Sequence, residues 1–556
     1  MVRRRSSVRA AARAVAAAFT LVTAALPVPR ALASPFGICA HVPDEPVLDR
    51  LEAAGIRWIR IDLAWPVVQP ERDTWNWTVF DRLVASARER GFEIYATLSE
   101  TPAWATDGPP VTGPPRDPAD WARFCYRAAA RYRGLVRAWG MWNEPNLDRF
   151  WTGTRAEYIE RIVLPGADAI HAADPLAIVG APDTAHLHSA DWDRWLRDVA
   201  RDAGDRLDVI THHVYSPNGS HRPVSSALDR PPANPWDDPS VRQVLQKAGW
   251  FGRPFWLTET GMASDVHGEA DQAGFYTNLL EDWFRPGTDL NWMGRIFFYE
   301  AADDPSADHA WGILGPPPEY EPKPAYFAYA DFIETAQVSD AALVAASGRT
   351  FMRPGEVRTA EVTFRNTGTV VWTALKGYRL APVADPAGLV RSGLTFDPGL
   401  TVAPGQAVAF TVSLAAPAEA VGPSLVVLRM RGPDGQLFGD ALRAVVTVTA
   451  EAPPSIVRQP SPHTVPHGVP VRFEVVAESE TPVAYRWQLD GADCPEGPEW
   501  TGTRTPALTV WSAGPRTAGD YRCLLTNAAG TVATRTVSLR LGPAPSPRRP
   551  TGRTDP

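Results

Sequence analysis

A-W-G-M-W-N-E-P-N, Ala138 to Asn146, is the stretch on which the reading of this chain turns. An apolar run with two Trp ends abruptly in Asn143-Glu144-Pro145. A buried strand looks like this when its last residues deliver an amide and a carboxyl group to a rim, with Pro145, which has no amide proton, stopping the ladder. For Glu144 alone, a surface strand ending in a solvated carboxylate would be the better reading. A second segment of the same design tips the balance: P-F-W-L-T-E-T-G, Pro254 to Gly261, is another apolar strand, and it ends in Glu259.

Outward from these two segments, short apolar strands alternate with amphipathic helices across residues 34–338. Strands are expected near 36–40, 57–63, 92–98, 135–143, 177–181, 208–214, 255–259 and 295–299, with helices such as 79–90 and 118–133 between them. Eight β-α units predict an α/β fold of the (β/α)8 TIM-barrel type. The helix-to-strand joints are short and carry Gly55, Gly91, Gly134 and Gly204, as left-handed C-terminal caps require. The strand-to-helix joints 101–117, 216–236 and 301–318 are long and rich in Pro and Gly, and all leave the end of the barrel that carries active sites. A doubly wound sheet is the runner-up, but the first strand is not followed by a Gly-rich phosphate loop. In the barrel, Glu144 ends strand four and Glu259 ends strand seven. Both carboxylates then face one mouth, a geometry that two-carboxylate hydrolysis of glycosidic bonds needs.

W-N-E-P at the end of strand four and a Glu at the end of strand seven resemble clan A of the glycoside hydrolases, the retaining barrel enzymes. G-I-R-W-I-R-I-D, Gly55 to Asp62, and H-V-Y, His213 to Tyr215, also match that clan. The resemblance spans about residues 35–338 and is similar in flavour to family 39 and to the cellulase-like family 5. It implies that Glu144 is the acid/base and Glu259 the nucleophile. It further implies that Asn143 bonds a sugar 2-hydroxyl, that Arg60 holds Glu259 ionised, and that Tyr215, beside His213, leans on Glu259. A carboxyl group close to a second, ionised carboxylate is expected to have a raised pKa and to stay protonated as an acid. Strand eight ends Phe298-Tyr299-Glu300 where many members place a Trp, a departure from the clan's aromatic sugar floor, and Tyr299 is the substrate-binding candidate there. Trp65, Trp104 and Trp311 lie on loops of the same face and are candidates to stack on sugar or to anchor loops, with Trp311 ranked last. His186 and His188 have a two-ligand spacing, but no further ligand follows; neither a metal nor a cofactor is expected.

Composition limits the alternatives. A net charge of -8, with no basic run beyond the N-terminus, argues against nucleic acid as a partner. Arg3-Arg4-Arg5, an apolar run from Ala10 to Leu26 and Ala31-Leu32-Ala33 read as a secretory signal peptide over 1–33, hence an exported protein. No later apolar stretch is long enough for a membrane span.

After Gln337 strands with turn signals replace the helical pattern. Residues 339–450, with N-T-G at Asn366 and Trp372, are expected to form an Ig-like sandwich. Pro453-Pro454 marks a linker. Residues 455–542 read as an Ig domain with Trp487 on strand C and Tyr521 at the tyrosine corner. Val475 stands where the first Ig cysteine belongs, which leaves Cys494 as a candidate partner for Cys523. Residues 543–556 read as a disordered tail. The expected partner is an oligo- or polysaccharide, with cell-surface or polysaccharide contact through the Ig-like modules, on a monomeric chain. The competing reading is a catalytically silent sugar-binding or adhesion protein on the same scaffold.

Overall fold

The computed structural model describes residues 35–543 apart from 188, 190, 230–238, 251, 285–291 and 349. The signal-peptide segment, His188 and the tail from 544 onward lie outside the described residues. Eight parallel strands close into a barrel: β1 (Phe36–His41), β2 (Trp58–Ala64), β3 (Glu93–Ser99), β4 (Ala138–Met141), β5 (Ile178–Ala185), β6 (Val209–His213), β7 (Phe255–Thr260) and β8 (Arg295–Phe298). Between and after them, helices such as Glu45–Ala53, Thr78–Glu89, Pro118–Arg131 and Pro324–Thr335 cover the outside. The helix at Pro118 begins where Asp117 accepts a hydrogen bond from the Ala119 amide and Pro118 fits the first turn.

Period-two alternation fills the barrel interior. Trp58, Tyr95, Ala138, Ile178, Val209, Trp256 and Phe297 each point inward from their strands and pack as one cluster. One correction concerns β4, expected to run through Asn143. It ends at Met141, and Trp142 (φ 76) and Glu144 (φ 42) then adopt left-handed backbone. Pro145 is therefore not what stops the ladder. Non-glycine residues in this region cost on the order of 1–3 kcal/mol each and persist only where the surroundings impose them. Here the Trp142 amide donates to the Leu98 carbonyl (2.8 Å) and the Glu144 amide to the Asp183 carbonyl (3.0 Å).

The two C-terminal modules are sandwiches. In the first, the strands 351–352, 437–448, 422–431 and 379–384 form one sheet, and 390–392, 407–415, 357–366 and 341–347 the other, with Trp372 buried between them. The chain enters from the barrel without slack. A Cβ at Gly368 would stand 2.2 Å from the Val338 carbonyl oxygen, and the Thr369 hydroxyl bonds the Ala336 carbonyl. In the second module Trp487 is buried, and the Tyr521 hydroxyl donates to the Thr517 carbonyl (2.7 Å), a tyrosine corner. The Cys494–Cys523 pair does not form. All four cysteines are free and buried, and Cys523 lies opposite Trp487 in the ladder with its thiol turned to the Leu524 carbonyl.

Both modules rest on the barrel. Arg123 and Arg127, one helical turn apart on Pro118–Arg131, both donate to the Asp490 carboxylate of the second module (3.1 and 2.8 Å) and to the Ala518 carbonyl. The first module closes the lower end. Arg295, at the start of β8, packs over the rings of Trp58 and Trp256 inside the barrel and faces Asp440 (3.3 Å) and Asp340 (3.6 Å) of the sandwich.

Candidate active site

Glu259 reaches the mouth by a break in alternation. Trp256 packs inside and Thr258 bonds the buried Asp183, so a regular strand would turn Glu259 outward. The pairing of β7 with β8 slips between Leu257 and Thr260, and this bulge rotates Glu259 inward. A slip between Pro182 and Thr184 does the same for Asp183. Gly140 of the A-W-G-M stretch makes room beneath them, because a Cβ there would meet the Tyr95 hydroxyl at 2.5 Å and the Asp183 carboxylate at 3.1 Å. That hydroxyl donates to Asp183 at 2.6 Å.

The expected groups converge on this floor. Arg60, two residues above Trp58 on β2 and equally buried, donates through one amino group to Glu259 and through the other to Asn143 Oδ1 (2.8 Å), which fixes the Asn143 amide. The Tyr215 hydroxyl donates to Glu259 Oε2 (2.8 Å). His213, fully buried, stands between the two glutamates: its Nδ1 is 3.1 Å from Glu144 Oε1 and 3.4 Å from Glu259 Oε2, and its Nε2 is 3.7 Å from Asp183. A carboxylate oxygen from each glutamate and a His213 nitrogen all lie within 4.8 Å of one another. Among the described residues this is the group close enough to hold a cation. The other histidine considered, His186, contacts His212 (3.2 Å) and packs on Trp192 instead.

The electrostatics correct one expectation. Burial works to raise the Glu144 pKa, but the His213 hydrogen bond and the Arg149 guanidinium (3.2 Å from Oε2) outweigh it and hold the carboxyl below its ordinary value. His213 rather than Glu144 retains the proton. Burial alone would discharge the imidazole, yet Glu259, Asp183 and Glu144 together raise its pKa to about 9. The sign follows from linkage: a folded-state pKa above the unfolded 6.5 contributes stability that is fully present below about pH 6.5 and is lost as pH rises through about 9. His213→Gln is expected to flatten the fall in stability between these values. Urea unfolding of both proteins at several pH values reads the difference, because other titrating groups, such as His41, are common to both.

The tryptophans divide differently from the sequence ranking. Trp65 is wholly inaccessible, stacked on Phe124 with its indole N–H on Gln69, so it anchors the core and cannot touch a ligand. Burial of the apolar indole outweighs exposure on the loop face. Trp104 is half-buried, its N–H on the Gln69 carbonyl and Arg72 over its ring. Trp311, ranked last, packs edge-on to Tyr215 (5.4 Å) and Tyr299 (6.0 Å) and forms an aromatic wall with them. Sequence reasoning also missed a polar corner at the ends of β1, β2 and β8. There His41 joins Asp62 (2.7 Å) and Glu300 (3.0 Å). Burial opposes protonation of His41, but the two carboxylates raise its pKa to about 10. No local spacing signals this corner, since its members lie far apart in the sequence and meet only when β2 and β8 pair on either side of β1.

Fold and site together define a (β/α)8-barrel protein with a paired-glutamate cleft, followed by two β-sandwich modules. Residues 453–527 match the immunoglobulin domain family. The chain is similar to a β-xylosidase of Geobacillus stearothermophilus, with 21% identity over 285 residues, 46% of this chain and 56% of that protein. It is also similar to a β-xylosidase of Caldicellulosiruptor saccharolyticus, with 36% identity over 113 residues, 18% of this chain and 22% of that protein. The chain thus spans about half the length of the first of these relatives and about a fifth of the second. Among solved structures it is similar to a family 39 glycoside hydrolase from Bacteroides cellulosilyticus WH2, with 16% identity, a TM-score of 0.44, and coverage of 70% of this chain and 82% of that one. Among the described residues no helix is long and apolar enough to cross a membrane.

Proposed function

We propose that this chain is an exported, monomeric retaining glycoside hydrolase that cleaves O-glycosidic bonds of oligo- or polysaccharides by a two-glutamate double displacement. The observation that carries the proposal is the convergence of the two carboxylates on one mouth, one oxygen of each lying within 4.8 Å of the other, with Arg60 and Tyr215 holding Glu259. Retaining enzymes hold their carboxyl groups roughly 5–5.5 Å apart, whereas inverting enzymes need about 6.5–9.5 Å to admit a water.

In the first step Glu259 attacks the anomeric carbon as the bond to the leaving oxygen breaks, and Glu144 gives that oxygen its proton. In the second, Glu144 takes a proton from water, the water oxygen bonds the anomeric carbon, and the bond to Glu259 breaks. Arg60 and Tyr215 each hold one oxygen of Glu259, so the carboxylate is oriented both as attacking and as departing group. The Asn143 amide, aimed by Arg60, serves the sugar 2-hydroxyl. Tyr299 and Trp311 offer a wall to the sugar C–H face, and the corner of His41, Asp62 and Glu300 offers partners to hydroxyls. A binding-only role is less favoured because both glutamates and their partners are in place. The two β-xylosidase relatives make a β-xyloside the first glycone to try.

Purified protein is expected to turn over at least one aryl glycoside or polysaccharide, and NMR of the first-formed sugar is expected to find retained configuration. A folded protein that binds sugars but turns over none of a broad panel returns the binding-only reading. Export is tested by N-terminal sequencing of protein from culture medium, expected to start at Ser34.

A further inference from the structure

We propose that Arg149 makes this site selective for a leaving group that carries a negative charge next to the glycosidic oxygen, and that engaging this anion frees Glu144 to hold the catalytic proton. The inference rests on the glycosidase reading above and names the substrate class of the same site.

Arg149 belongs to the loop that follows Glu144. Asn146 pins this loop to β5 by a pair of hydrogen bonds with Ala185 (2.8 and 2.9 Å), and Leu147 bonds back to the Glu144 carbonyl (3.0 Å). The guanidinium is steadied over the Phe150 ring, 4.7 Å from its centre. With 68% of its side chain exposed, Arg149 is solvated on one side and touches Glu144 Oε2 on the other. His213 occupies Oε1 from below. Oε2 is therefore the oxygen that a leaving group approaches, and the guanidinium stands at that approach.

A carboxylate or sulfate borne by the leaving group would meet a planar cation able to bind it through two N–H groups. The same contact changes the acid. The charged groups that contact Glu144 are His213 from β6 and Arg149 on its own loop; Glu259 of β7 and Asp183 of β5 stand behind His213, and Arg60 of β2 and Tyr215 contact Glu259. Arg60 and His213 are fully enclosed, while Arg149 is open to solvent, so Arg149 is the cation a substrate can draw away. Removing it takes away one of the two interactions that hold Glu144 ionised. Glu144 then takes up a proton from solvent on Oε2, and that proton passes to the leaving oxygen as the C–O bond breaks. A neutral leaving group must displace the guanidinium without giving it a new partner.

The test uses a pair of aryl glycosides of whichever glycone the enzyme accepts, with phenols matched in acidity, one carrying a meta carboxylate and the other a meta carboxamide. Wild type is expected to favour the carboxylate by about tenfold in kcat/KM, the scale of one charge-assisted contact. Arg149→Gln is expected to bring the ratio close to one, mainly through KM for the charged compound, and to move the basic limb of the kcat/KM profile for the neutral compound to higher pH. Arg149→Lys is expected to keep part of the preference. Equal kcat/KM values in wild type, or a preference that survives Arg149→Gln with an unmoved pH profile, overturns the proposal while leaving the glycosidase reading intact. Turnover of neither compound with any glycone overturns both.

Discussion

Glu259→Ala is expected to lose about 10⁶-fold in kcat, the scale of removing a covalent nucleophile, and to leave nothing for a mechanism-based trap to label. A 2-fluoro-glycoside of the preferred sugar should label wild type at Glu259, located by peptide mass mapping. Glu144→Ala should behave differently. It still carries the nucleophile with Arg60 and Tyr215 in place, so a substrate with a good leaving group, which needs little protonation, should still glycosylate it. A poor leaving group should lose roughly 10²–10⁴-fold. Azide should then restore turnover of Glu144→Ala with retained configuration, because a small anion can enter where the base is missing. A label on Glu144 would reverse the two roles, and inverted first product would remove the double displacement altogether.

Asp440→Ala is expected to destabilise the whole chain by about 3–5 kcal/mol, the range for breaking a buried ion pair from one side. Asp440 accepts from Arg137 (2.5 Å) and from the Leu343 amide (3.1 Å) and faces Arg295. Arg295 is 2% exposed and packed over two indole rings, so it cannot turn to water when Asp440 is lost and keeps only Asp340 (3.6 Å) as a carboxylate partner. Further contacts cross the same seam: Arg429 donates to the Gly252 carbonyl (3.1 Å), and Arg443 meets Asp208 (3.4 Å). A chain ending at residue 338 would expose the whole seam, and it is expected to be less soluble and to unfold at lower urea than the full protein. Composition alone suggests the opposite, since the helical pattern stops near Gln337 as if a module ended there. If Asp440→Ala unfolds at the wild-type urea midpoint, the first sandwich is a tethered neighbour rather than the closure of the barrel.

What could be read from residues alone was whatever depends on local order. Period two in eight apolar runs, period 3.6 between them and glycine at the return joints specify a (β/α)8 barrel. A carboxylate that follows such a run must emerge at the catalytic end, which placed Glu144 and Glu259 together; Arg60 and Tyr215 were set beside them only by the resemblance to clan A. Trp487 and the tyrosine corner marked the Ig module in the same local way. The rest depends on contacts between distant strands. Glu259 and Asp183 enter the cleft through slips in pairing that strict alternation would not allow. His213 becomes the proton holder because the carboxylates of Asp183 on β5, Glu259 on β7 and Glu144 just past β4 meet around it, which reverses the expected charge state of Glu144. Trp65 is buried while Trp311 packs on Tyr215 and Tyr299, because a loop position does not say which indole the neighbouring helix covers. The seam below the barrel is likewise invisible in one dimension: Arg295 and Asp440 are 145 positions apart (440 − 295) and acquire meaning only when the sandwich folds back beneath β8.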